Sequence, residues 1–352
     1  MNERENILLP DGNVRPFLRA LCDAPGVSGD EGGVARLIAA EIKPFCDKLF
    51  LDRLGNLLAF KKGKRTPAKP LMYCAHLDEV GLMIRHICEN GTLLFEAVGI
   101  QPEVLPSKRV EIGKQRIPGV ICSKPVHLMH GGSEPPLKIA DMYIDIGCTD
   151  RESAAQKGVY ASYAVFENRF TVFGDGFVRS KALDDRFGCF VMTELIKREL
   201  AYDTYFAFTV GEELGGVGAV AAVREIRPGT AIVLESTTAS DLPSNVGADR
   251  VCEPGKGAVV PFMDGGTLYD RALYRDIRAA ADAADIPAQT KTRIAGGTDA
   301  ASIQRSLDGV RVAAISLPCR YIHTGSCVAA IEDMASCLAL AAETGRLPAF
   351  AQ

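Results

Sequence analysis

The sequence predicts an α/β protein: a three-layer α/β/α domain with a mixed, mainly parallel sheet, carrying a smaller inserted β domain resembling a barrel. Three observations predict it. Short, continuous apolar runs rich in β-branched and aromatic residues recur along the chain, as in strands of a parallel sheet buried on both faces. Segments of helical periodicity alternate with them. Between roughly Glu79 and Phe166 the texture changes to short alternating strands punctuated by Gly and Pro, with little helix.

In chain order, Val34, Leu37, Ile38 and Ile42 share one face of a helix that starts after a Ser-Gly-Asp turn. Leu71 to Ala75 is the first core strand. The inserted domain takes residues 79–166, its start falling as late as residue 100 on the same texture, and its helix runs from Arg151 to Lys157. Residues 1–78 and 167–352 then form one discontinuous domain. Its second part holds a helix from Phe187 to Leu200, strands at Tyr205 to Val210 and Ala231 to Leu234, a helix from Leu273 to Ala284, and a strand at Val312 to Leu317.

The 352 residues are 47% hydrophobic and 24% charged, and the formal net charge is −4 with both signs interspersed. That balance predicts neither a nucleic-acid partner nor an anionic membrane surface, and favours a small or peptidic substrate. Eleven cysteines lie scattered without a CxxC pair, which argues against a disulfide framework and a zinc finger and reads as reduced core thiols. The start, MNERENILLPDG, lacks a basic region followed by an apolar core, and no stretch approaches the roughly 18 apolar residues of a membrane span. A cytoplasmic protein is expected.

The run Tyr205 to Gly216, YFAFTVGEELGG, empties a buried strand into two adjacent carboxylates, Glu212 and Glu213, at the end where open α/β sheets place ligands. Other core strands hand over to metal-capable side chains in the same way. His76 follows LMYCA, Glu235 follows AIVL, and His323 lies just past AAISLPCRY, while Asp184 opens a helix in SKALDDRFG. Two imidazoles with three or more carboxylates suit zinc, cobalt or manganese, and a shared carboxylate suits a metal pair. His76 and Asp78 share a strand face at a period of two, so Asp78 is placed to fix the imidazole tautomer. Of the neighbouring Glu212 and Glu213, one can bind metal while the other takes a proton from water.

Taken together and in order, AHLDEVG, SKALDDRFG, GEELGGVGA, AGGTDAASI and RYIHTG resemble the M42 family of dinuclear metallo-aminopeptidases, and GVICSKPVHLM and MYIDIGCTDRESAAQKGV resemble that family's inserted domain. The resemblance spans nearly the whole chain. It implies two divalent metal ions per subunit, with Asp184 bridging them, His76 and Glu235 completing one site, and Glu213 and His323 the other. It further implies that Glu212 is the general base toward a water bridging the metals, that the substrates are peptides with a free amino terminus, and that dimers formed by the inserted domain close into a tetrahedral dodecamer. The chain departs from the family pattern at Glu235, where aspartate is more usual, and at Thr324-Gly325, where Ser-Pro is more usual. The first change is expected to alter metal preference and the second to loosen a loop beside the substrate.

Each residue also has a plainer reading. His76 alone reads as a hydrogen-bonded core histidine. Asp184 or Asp185 could cap the helix that follows, and Glu212 and Glu213 could sit in a solvated turn. Gly296 to Asp299 reads as a tight turn, and His86, His127 and His130 read as structural or surface histidines. Two rival functions follow: a glycosidase of endoglucanase type using paired carboxylates, and an inactive assembly subunit that keeps the fold alone.

Overall fold

A computed structural model describes residues 3–10, 12–125, 127 and 136–351. His130 and most of the HGGSEPP loop lie outside the described residues. In chain order the strands are β1 (Lys48–Leu51), β2 (Leu57–Lys61), β3 (Leu71–His76), β4 (Gly81–Ile87), β5 (Leu93–Val98), β6 (Arg109–Ile112), β7 (Ile117–Cys122), β8 (Tyr143–Asp145) and β9 (Tyr163–Phe166). They continue with β10 (Thr171–Phe173), β11 (Phe177–Ser180), β12 (Thr204–Thr209), β13 (Thr230–Thr238), β14 (Ala258–Val259), β15 (Ala288–Gln289), β16 (Arg311–Cys319) and β17 (Cys327–Ala330). The helices are α1 (Arg4–Ile7), α2 (Pro16–Asp23), α3 (Gly32–Ile42), α4 (Arg151–Gln156), α5 (Leu183–Ile196), α6 (Val217–Ile226), α7 (Arg271–Ala283), α8 (Asp299–Gln304) and α9 (Ile331–Thr344).

Eight strands make one mixed sheet in the order β1-β2-β12-β3-β13-β16-β14-β15. Its centre, β12, β3, β13 and β16, is parallel, and these are the four apolar runs read from the sequence. Their runs are unbroken because both faces are covered, and every residue of β3 is buried. Ile232 and Leu234 pack with Leu18, Phe187, Phe190 and Met334 on one face, while Ala231 and Val233 pack with Ala219, Val223 and Ile303 on the other. The antiparallel pair β1 and β2 extends the sheet beyond β12. A small second sheet, β10-β11-β17, adjoins α5 and α9.

Strands β4 to β9 close into a barrel in the order β4-β5-β8-β7-β6-β9. It has its own core, including Leu82, Ile84, Leu93, Phe95, Val110, Ile121 and Ile144. The alternation that marked this region in the sequence is the inside-outside alternation of barrel walls. Among the described residues its one α-helix is α4, capped by Asp150, whose Oδ1 accepts from the Ser153 amide at 2.8 Å.

Two boundaries differ from the sequence expectation with physical cause. The helix expected over Phe187 to Leu200 is α5, shifted toward the amino terminus, so that Leu200 lies in the connection that feeds β12. Its first residues, Asp184 and Asp185, are not helical and are joined by a cis peptide bond. The strand expected to end at Leu234 continues to Thr238, because β13 stays paired with β16 as far as Thr238 and Cys319.

Candidate metal centre

The crevice forms where the sheet divides. β3 remains paired with β12 up to His76 opposite Thr209, but it parts from β13 after Cys74 opposite Val233. Ligands bind at the carboxyl ends of parallel strands, in the gap that such a parting opens. His76 stands at one lip as the last residue of β3. Glu235 stands at the other, two residues past the parting and inside β13 rather than at its end.

Glu212 and Glu213 follow β12 in a turn whose amides are gathered by acids. Gly211 N–H donates to Glu31 Oε1 at 3.1 Å, Glu212 N–H to Asp78 Oδ1 at 3.1 Å, and Glu213 N–H to Asp78 Oδ2 at 3.1 Å. Gly216 has a φ of +72°, and a Cβ there would fall 2.6 Å from Ser302 Oγ, so only glycine fits this turn before α6. Asp184 and His323 complete the cluster from the kinked start of α5 and the turn after β16.

The two imidazoles have fixed tautomers. His76 Nδ1 lies 3.0 Å from the carbonyl oxygen of Asp78 and 3.4 Å from its Oδ1, and His323 Nδ1 lies 2.7 Å from the carbonyl oxygen of Gly99. Facing only acceptors, each Nδ1 carries a proton, which makes Nε2 the nitrogen that faces the carboxylates and, in the neutral ring, the one able to ligate a cation. Asp78 therefore orients His76 through both its carbonyl and its side chain. It lies beyond the end of β3 rather than on a shared strand face.

Asp184 lies between the two rings, with Oδ1 at 3.5 Å from His76 Nε2 and Oδ2 at 3.4 Å from His323 Nε2. Glu235 Oε1 is 3.5 Å from His76 Nε2, and Glu213 Oε1 is 3.7 Å from His323 Nε2. Donor atoms of Asp184, Glu213 and His323 lie within 4.8 Å of one another, as do those of His76, Asp185 and Glu235, and those of His76, Glu212 and Glu213. The structure thus brings together His76, Asp184, Glu212, Glu213, Glu235 and His323, with Asp78 beneath them.

Sequence reasoning missed several participants. Asp185 does cap α5, accepting from Gly188 N–H at 3.0 Å, but its other oxygen accepts from the His76 amide at 3.2 Å. The Asp-Asp pair was the available signal. Ser28 Oγ donates to Asp78 Oδ2 at 2.6 Å. Gly99, between barrel strands β5 and β6, touches both His323 and Glu213, and nothing local in its sequence marks it. The loop expected to loosen at Gly325 is tied instead: Asn168 Nδ2 donates to the Gly325 carbonyl and to Ser326 Oγ, and Gly325 packs against the Phe166 ring. His86 and His127 are exposed and away from this cluster.

The electrostatics are those of crowded, buried acids. Burial, reinforced by neighbouring carboxylates, pushes Glu212 up to about 8 and Glu213 up to about 7, and pushes Glu235 and Asp185 well above the carboxylate range. Burial opposes ionisation of Asp184 too, but contact with His323 and His76 holds it low. Contact with Asp184 raises His323 to about 9. Burial works against a charged His76, yet the surrounding carboxylates, Glu235 first, outweigh it. Asp184 Oδ1 and Glu213 Oε1 are buried without a hydrogen-bond partner. Orphaned carboxylate oxygens beside two imidazole Nε2 atoms fit divalent cations, which would neutralise the acids and take the place of the Nε2 protons that the acids favour without metal.

The M42 glutamyl aminopeptidase family model matches residues 55–340. A putative aminopeptidase of Acetivibrio thermocellus is 34% identical over 330 residues, covering 93% of this chain and 97% of the relative. An aminopeptidase structure from Desulfurococcus kamchatkensis superposes with a TM-score of 0.91 at 29% identity, covering 99% of this chain and 97% of that one. The TET1 peptidase of Pyrococcus horikoshii, which can assemble into a tetrahedron or a large octahedral shell, gives 0.81 at 31% identity, with 93% and 97% covered. The dividing sheet, the closed barrel and the acid-imidazole cluster accord with these matches along the chain's length: the protein belongs to the M42 family and is a metallo-aminopeptidase.

Proposed function

We propose that this chain hydrolyses the first peptide bond of peptides with a free amino terminus, with two divalent cations held by His76, Asp184, Glu213, Glu235 and His323 and with Glu212 as general base. The observation that carries the reading is Asp184, one oxygen toward each imidazole Nε2, the arrangement expected of a carboxylate shared by two cations. When bound, the cations supply Lewis acidity toward the scissile carbonyl and lower the pKa of water. Zinc or cobalt suits the donors best, and manganese is compatible. Glu212 takes the proton from the attacking water at its carboxylate and delivers it to the leaving amine. Asp78 keeps Glu212 and Glu213 at fixed height by holding both amides, and keeps the Nε2 of His76 directed inward.

Residues 1–78 and 167–352 are assigned to catalysis and residues 79–166 to dimerisation, with dimers closing into a tetrahedral dodecamer, a reading supported by the tetrahedron that the TET1 peptidase can form. Among the described residues no helix is long and apolar enough to cross a membrane, and we place the protein in the cytoplasm. A glycosidase is disfavoured: its carboxylates flank a sugar bond at roughly 5–9.5 Å, whereas Glu212 and Glu213 sit in one turn anchored on a single carboxylate, and the imidazole pair has no role. An inactive subunit is disfavoured because every proposed donor and the base is present.

The test is hydrolysis of aminoacyl p-nitroanilides and N-acetylated controls by chelator-stripped protein, with zinc, cobalt or manganese restored singly. Turnover that returns with metal and requires the free amine is expected. Metal-loaded protein that is silent on the panel, or reducing sugar released from cellulose despite chelator, would overturn the reading.

A further inference from the structure

A buried charge cluster that the proposed chemistry does not use ties together two segments of the metal centre. Glu79 and Arg186 are fully buried and Lys181 is 3% exposed. Glu79 follows closely on His76, while Lys181 and Arg186 stand on either side of Asp184. Lys181 Nζ donates to both oxygens of Glu79, at 2.6 Å to Oε2, and to the Ala24 carbonyl at 3.3 Å, so every hydrogen of the ammonium is used. Arg186 Nε donates to the Leu77 carbonyl at 2.6 Å, and Nη1 to the carbonyls of Leu21 at 2.7 Å and Ala24 at 2.9 Å. Glu79 Oε1 also accepts from Gly26 N–H at 3.1 Å. A Cβ at Gly26 would fall 2.8 Å from Arg186 Nη2, so glycine is what admits the guanidinium.

Stability alone is a poor reason for such a cluster. Taking an ion pair out of water costs about what the pairing returns, and apolar residues of the same volume often serve a fold as well or better. What a buried pair adds is direction. Direction is needed here, because Asp184 (φ −83°, ψ 111°) and Asp185 (φ −116°, ψ 37°) are not helical, and regular helical bonding does not hold Asp184 in place. Lys181 and Arg186 close this irregular stretch at its two ends. Both are fastened to the segment that leaves His76, one through the Glu79 carboxylate and the other through the Leu77 carbonyl.

We infer that Glu79, Lys181 and Arg186 are positioning residues that fix the span between His76 and Asp184, so that a cation finds these two donors already in place. The inference rests on the metal-binding reading of the same site. Donors held in position lose little freedom when a cation binds, whereas donors that must be drawn together do so at the expense of affinity.

The experiment uses Lys181→Met and the double variant Glu79→Gln/Lys181→Met. The double variant removes one charge of each sign, so the net charge beside the site is unchanged and a change in cation affinity reports geometry. Lys181→Met alone leaves Glu79 without its main partner and should lower the Tm of metal-free protein, and the double variant should recover most of that loss. Its zinc affinity, read by competition with a chromogenic chelator, should nevertheless fall about 10- to 100-fold. The visible absorption of its cobalt-loaded form, which reports the arrangement of ligands, should differ from that of wild type. Wild-type affinity and spectrum in the double variant overturn the inference and leave a pair that serves the fold alone. If the double variant does not fold, Lys181→Arg, which keeps the charge and changes the bonding geometry, gives the same two readouts, and wild-type values there overturn the inference equally. Neither readout needs turnover: a chain that binds cations yet leaves every aminoacyl p-nitroanilide intact would sink the peptidase reading and still decide the inference.

Discussion

Asp78 holds three parts of the proposed site at once: the His76 ring and the amides of Glu212 and Glu213, with Ser28 Oγ steadying its own carboxylate at 2.6 Å. Contact with His76 and these donors overcomes burial and draws its pKa down to about 2, so it stays ionised across the working range. Replacing Asp78 by Ala is expected to weaken metal affinity about 10- to 100-fold, the usual effect of losing a partner that orients a ligand, measured by competition with a chromogenic chelator. Glu212→Gln should act differently, lowering kcat by about 10²- to 10⁴-fold while metal content, read by mass spectrometry, stays at the wild-type value. Loss of metal in Glu212→Gln would make that residue a ligand rather than a base. At this scale the sequence revealed the residues whose type is costly to bury, His76, Glu212, Glu213 and Asp184 among them. It concealed Gly99, because a backbone carbonyl carries no sequence signature and its partner His323 lies 224 positions away.

The elements were legible in proportion to their burial. β12, β3, β13 and β16 announced themselves because two covered faces demand continuous apolar runs, and Phe206 on β12 is fully buried with its ring 5.8 Å from that of Tyr73. Phe206→Ala should lower the unfolding free energy by about 3–5 kcal/mol, readable by urea denaturation of metal-free protein. β1 has only one residue that is even half-buried and left no pattern to read. In α9, Asp333 accepts from the amides of Gly255 at 2.6 Å and Gly257 at 2.7 Å, and burial lifts its pKa to about 6. An acid whose folded pKa exceeds its unfolded one favours the fold at low pH and loses that contribution as pH rises through the folded value. The stability of wild type relative to Asp333→Asn should therefore fall between about pH 4 and pH 7, and a flat difference would refute the buried-acid account.

At the scale of the whole molecule, composition and texture revealed a large α/β body and a β insertion, but not the strand order, which depends on crossovers that leave no local mark. The proposed assembly predicts a light-scattering mass near twelve times the 37.7 kDa of one chain, and a monomeric mass would remove it. Metal should also stabilise the fold by mass action, by about 4 kcal/mol at a free concentration a thousand times Kd, so stripping with chelator should lower Tm. The contact of Gly99 with His323 ties these two properties together. Gly99 has a φ of +70°, its carbonyl holds the imidazole, and a Cβ there would strike Glu213 Oε2. The bend that leaves barrel strand β5 is thus one side of the proposed cation site, and a neighbouring subunit that pressed on the barrel would press on a proposed ligand. Coupling of that kind is reciprocal: whatever factor assembly adds to the affinity for metal, metal adds to the affinity between subunits, so a dissociated chain would also be the chain most easily emptied.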